Sequence, residues 1–222
     1  MASTAITERA DGIGGRLAAL VAEGGSVRHP YATAPALLGG AYAPRNLADA
    51  AHFLCLLHGR YPGVIELAAQ RVTDPAARGW INRAAQGFAA ERAYLARLVV
   101  AVGPLPSTLG QARSEAAVTT QTHALATLAQ SERAGCALGA ALALVLDWRT
   151  MRTVLDTAAQ RFGLQPPPID LPDLGSAIAV AGDVATTPGI QRALAFGAEQ
   201  LLIQHRGLWD LLETREMARR ES

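Results

Sequence analysis

Four ionisable side chains stand where the hydrophobic pattern expects apolar ones. On a helix, residues spaced by alternating threes and fours share one face. His58 lies at the centre of such a line, formed by Leu47, Ala51, Leu54, Tyr61, Ile65, Ala68 and Val72. Glu91 points with Ala84, Leu95, Leu98 and Val102. Glu132 points with Leu125, Leu128, Cys136, Gly139 and Ala143, and Asp147 follows further along that side. His205 takes an inner position in the seam Leu194, Ala198, Leu201, Leu208, Leu212. A carboxylate buried alone is strongly unfavourable, so such groups are paired, protonated or bound to a metal. Two carboxylates and two imidazoles meeting inside a bundle can hold one divalent iron, manganese or zinc ion. They can equally form a neutralising His–Glu network that fixes helix register.

Pro62 follows His58 by four residues and has no N–H, so the His58 carbonyl loses its helical partner. The break permits either a kink beside a ligand or the start of a separate helix. Other polar residues carry weaker signals. His52 and His123 fall off the main stripes, and "RHPY" at Arg28 to Tyr31 reads as a proline–tyrosine packing contact. Ser107, Ser114 and Ser131 lack a GxSxG setting, and no Gly-rich phosphate loop follows a strand. Arg215, Arg219 and Arg220 alternate with Glu213, Glu216 and Glu221, the pattern of a solvated helix face.

The elements that must position these residues are all helical. A first helix is predicted over Thr4 to Ala22, followed by a Gly- and Pro-rich extended arm on the surface, so that residues 1–45 form an appendage. Helix A runs from an Asn46 N-cap to Val72. Helix B starts at the Asp74 N-cap with Pro75 in the first turn and ends near Val102. Its short connection to A makes the two antiparallel neighbours. Thr108 and Gln111 have capping-box spacing at the start of helix C. No proline interrupts C from Gln111 to Phe162. A straight helix of that length would extend roughly 75 Å, so a bend or break is expected between Gly135 and Gly139. Residues 164–187 form a Pro-rich crossover, and helix D spans 188–219, capped by Thr187. The fold expected is all-α, an antiparallel helical bundle in one domain over residues 1–222.

Composition narrows the function. The 222 residues are 50% hydrophobic with a formal net charge of +1, enough to bury a core and without the basic excess of a nucleic-acid protein. There is no lysine, which rules out Schiff-base chemistry and a P-loop lysine. The arginine and alanine richness is that of a GC-rich bacterial genome. Cys55 and Cys136 sit among apolar residues and read as free buried thiols. With no signal peptide in "MASTAITERADGIGG" and no segment able to span a bilayer, a cytoplasmic location is expected.

With long antiparallel helices, one long crossover and inward His58, Glu91, Glu132 and His205, the stretch from Asn46 to Arg219 resembles the ferritin-like superfamily. If the chain is an enzyme, metal-dependent redox chemistry is expected, because open-site iron with His and carboxylate ligands supports it. The di-iron Glu-x-x-His motif is absent, since "RAY" follows Glu91, "RAG" follows Glu132 and "QLL" follows Glu199. The crossover also falls between the third and fourth helices rather than the second and third. The resemblance therefore implies a metal-free relative or a mononuclear variant. The phrases "HFLCLLHGRYPGVIELA" and "QSERAGCALGAALALVLDWR" are in addition similar to an uncharacterised bacterial family of all-helical chains. Three functional readings follow: a bundle binding one metal ion, a homodimeric scaffold packing through "GCALGAALALV" around a buried polar network, or a carrier of small apolar ligands.

Overall fold

The computed structural model describes residues 12–221. Every regular element among them is helical. Helix α1 covers Ile13–Gly24, and the Thr4 to Asp11 part of the first predicted helix lies outside the described residues. Two 3-10 turns, Ser26–Arg28 and Pro30–Thr33, and the short α2, Pro35–Leu38, make up the arm. Then come α3 (Ala43–His58), α4 (Val64–Ala69), α5 (Pro75–Val102), α6 (Gln111–Ala129), α7 (Cys136–Arg161), α8 (Leu174–Val184) and α9 (Pro188–Arg220).

The arm is not an extended surface strap. Ser26, His29, Tyr31 and Ala32 are buried where the 3-10 turns pack on α7 and α9, and Leu37 is buried where α2 packs on α3. Predicted helix A starts earlier than Asn46 and ends at His58; a cis Tyr61–Pro62 peptide separates it from α4. The separate-helix reading of Pro62 is therefore the one realised. Tyr61, placed on the buried line by periodicity, is exposed because it lies in this turn. Asn46 is inside the helix, and its side-chain NH2 donates to the Ala36 carbonyl.

Helix α5 begins as its sequence dictates, with the Asp74 carboxylate accepting from the Ala76 and Ala77 N–H groups. Predicted helix C is two helices. Gly135, at φ 93°, stands in the left-handed region that glycine adopts freely, and it starts α7. The Thr108–Gln111 capping box does not form; Gly110 precedes α6, and the Gln111 amide donates to Glu115 instead. The crossover contains α8, capped by Asp173.

Helix α7 is the axis of the fold. Cys136 to Val145 is buried without interruption, as expected for a helix apolar on all sides, and α1, α3, α4, α5, α6 and α9 all touch it. Its closest partner is α9. A Cβ on Gly139 would stand 2.1 Å from the Leu194 carbonyl oxygen, and one on Gly197 would stand 2.0 Å from that of Cys136. The small-residue segment "GCALGAALALV" is thus an intramolecular contact and not an outer face for a second subunit. No helix among the described residues is long and apolar enough to cross a membrane.

Candidate functional site

Two of the four predicted residues meet. His58, the last residue of α3, and His205, in the middle of α9, face each other with their Nε2 atoms 3.0 Å apart. Only one proton fits between them, so one ring donates and the other accepts. The other nitrogen of His205, Nδ1, lies 2.7 Å from Asp147 Oδ2. Ser26 donates to the same carboxylate twice, through its backbone N–H at 2.7 Å and its hydroxyl at 2.6 Å. The Trp209 indole N–H donates to the Ser26 hydroxyl oxygen at 2.8 Å. The result is one continuous chain, Trp209–Ser26–Asp147–His205–His58, tying the arm to α7, α9 and α3. All five residues are buried, none more than 4% exposed.

Electrostatics follows from this enclosure. Burial, and then the neighbouring His205, hold the His58 imidazole well below its ordinary pKa, so it is neutral at neutral pH. Burial pushes the Asp147 carboxyl up, but hydrogen bonds from His205 and Ser26 outweigh it and leave the group below the usual carboxylate range. An aspartate that orients an imidazole is the arrangement of many general bases. Here the outermost ring, His58, meets an aromatic wall: Phe88 and Trp148 stand edge-on, with ring centroids 6.2 and 5.7 Å away.

Glu91 is equally buried but belongs to a second network. Its Oε1 accepts from Arg152 Nη1 at 2.7 Å and its Oε2 from the Trp148 indole at 2.9 Å. Arg152 also donates to Asp156 at 2.6 Å and to the Pro167 carbonyl, which anchors the Pro-rich segment before α8. Trp148 thus touches His58 with its ring and Glu91 with its N–H.

Glu132 does not join either network. The break between α6 and α7 leaves it exposed in the connecting loop, where it lines a surface cleft of about 590 Å3 with Arg71, Asp74 and Arg133. A second cleft, about 490 Å3 and lined by His52, Phe53, Cys55, Leu56 and Leu105 among others, includes neither His58 nor His205 in its lining. The four predicted ligands therefore do not fit one metal ion. Both Glu91 oxygens are engaged, Glu132 is remote, and among the described residues no three His, Cys, Asp or Glu side chains gather in a way that would hold one.

A third buried cluster overturns the solvated-face reading of the last helix. Arg215, Glu216 and Arg219 are buried. Arg215 and Arg219 both hold Asp49 of α3, at 2.9 and 2.6 Å, and Arg219 also donates to Asn46. A signal was present: Asp49 lies with Asn46 and Phe53 at three- and four-residue spacing, while Arg215 and Arg219 are one turn apart. His29, in the "RHPY" segment expected to make a proline–tyrosine packing contact, is hydrogen-bonded through both ring nitrogens. Its Nδ1 accepts from the Tyr31 N–H, so its Nε2–H donates to Asp210 at 2.9 Å.

With this geometry in place, the chain belongs to the family of unknown function DUF6975, whose model matches residues 21–220. No curated protein and no solved structure matches it.

Proposed function

We propose that this DUF6975 member is an interaction protein, in which the Asp147–His205–His58 chain is a buried structural network rather than a reactive centre. The observation that carries this reading is the saturation of His205. One ring nitrogen faces Asp147, the other faces His58, and Phe88 and Trp148 stand edge-on to the His58 ring, so His205 has no nitrogen left for a substrate or a metal. What the fold turns outward instead includes large apolar side chains, among them Val100, Leu109 and Ile203, which are 82%, 90% and 55% exposed. The ferritin-like likeness then reduces to a shared bundle plan. A second reading, carriage of a small apolar ligand, is favoured only by the cleft around Phe53, Leu56 and Leu105.

Elemental analysis separates the proposal from the metal-centre reading. Protein expressed with iron, manganese and zinc supplied should carry no stoichiometric metal, and His205→Ala should lower thermal stability sharply. Near-stoichiometric metal that disappears in His205→Ala would refute the structural reading. Mass spectrometry of the native protein tests the carrier reading, which requires a co-purifying small molecule.

A further inference from the structure

The outer face of α9 carries two heptad-spaced stripes that the core does not use. The first is Phe196, Ile203 and Met217, which are 42%, 55% and 54% exposed, the Phe196 ring lying under the Arg133 guanidinium at 5.8 Å; its remaining member, Asp210, is bonded to His29. Beside it runs Arg192, Glu199, Arg206, Glu213, Arg220, whose charge changes sign at every step of seven. At 100° per residue, both stripes fall within an arc of about 120°. Neighbours in the charged stripe are two turns, about 10.5 Å, apart, beyond the three- or four-residue reach of pairs within a helix. Among the described residues, Arg192, Glu199, Arg206 and Glu213 form no ion pair; Arg206 only donates to the Gly24 carbonyl at 3.4 Å.

The alternation is self-complementary. Laid antiparallel on a second copy with the two-fold axis between Leu202 and Ile203, Arg192 stands opposite the partner's Glu213 and Glu199 opposite the partner's Arg206. Both pairs then repeat on the other side of the axis. The same register brings Ile203 next to its own counterpart at the centre, with Phe196 further out along the contact. Parallel pairing in register would set like charges against each other. The helix has 33 residues and is about 50 Å long, so the matched charges lie along one extended contact line.

We infer that the α9 outer face is a homodimer interface, formed by antiparallel apposition of α9 on α9 about a two-fold axis at Ile203. This inference rests on the interaction-protein reading and names a second copy of the chain as its partner. It also replaces the Gly- and Ala-rich segment of α7 as the assembly face. The metal analysis can fail or succeed whatever the oligomeric state, so failures of the two ideas are distinguishable.

Sedimentation velocity and light scattering on the full chain test it, over concentrations of about 1 to 200 µM. The wild type should be dimeric in the upper part of that range. Glu199→Arg should be monomeric, since it sets two like-charge contacts across the axis, and Ile203→Asp should be monomeric too. Glu199→Arg combined with Arg206→Glu should restore the dimer, because the swapped charges pair again. Unchanged helicity and melting temperature would show that each variant stays folded. A wild type that is monomeric throughout would overturn the inference. So would a dimer that survives both single substitutions, or a folded double swap that stays monomeric.

Discussion

Asp147→Asn tests whether the arm is held by the buried chain. The carboxylate is 1% exposed and accepts three hydrogen bonds, two from Ser26 and one from His205. Asparagine has nearly the same shape, but one of its two terminal atoms becomes a donor. Turned one way, its NH2 meets the Ser26 N–H, which can only donate; turned the other way, the Ser26 hydroxyl must accept and His205 must change tautomer. Losing hydrogen bonds to a buried charged group costs about 1.5–3 kcal/mol. For a chain of this size, each kcal/mol moves the melting temperature by about 2–4 °C, so a fall of about 3–12 °C is expected. Because Ser26 loses its anchor, trypsin should also cut faster after the exposed Arg28. Asp210→Asn is the matched control. It weakens another arm contact, His29 to Asp210, but the Asp210 side chain is 66% exposed, and such pairs contribute about 0–1 kcal/mol. Calorimetry of the three proteins at pH 7 gives the comparison. An Asp147→Asn melting temperature within about 2 °C of wild type would refute the claim that this chain holds the arm.

Three further outcomes follow from the same contacts. His58 titrates below its ordinary value when folded, so below about pH 6.5 the unfolded state binds the extra proton and stability falls as pH falls, by up to about 1.4 kcal/mol per pH unit. Asp147, also depressed, adds a loss in the same direction at lower pH, and melts of the wild type and His58→Gln between pH 7 and 5 should show the flatter curve in the variant. Arg152→Met leaves the Glu91 carboxylate buried against Trp148 alone and should destabilise by about 3–5 kcal/mol, whereas Arg152→Met with Glu91→Leu should recover part of it in urea titrations, the Trp148 N–H and the Pro167 carbonyl staying without their partners. Gly139→Ala forces a methyl against the Leu194 carbonyl and should lower the urea midpoint strongly, while Gly79→Ala, where nothing lies within 4 Å, should raise it slightly.

The sequence by itself determined the helical class, the start of α5, the break near Gly135 and the inward direction of His58, Glu91 and His205. Those features are local. They follow from side-chain periodicity, from a carboxylate reaching N–H groups two and three residues ahead, and from the conformations open to glycine and closed to proline. Asp147 was legible too, one stripe away from its role. Only the tertiary structure decided the partners. Ser26 is 121 residues from Asp147, and His58 is 147 from His205, separations over which periodicity carries no information. Glu132 shows the limit most clearly: the break expected from Gly135 onward begins already after Ala129, and the loop it opens turns Glu132 to solvent. The charges of Arg215 and Arg219 likewise look solvated in the sequence, because alternation of sign along a helix does not reveal that Asp49, on another helix, will be there to neutralise them inside.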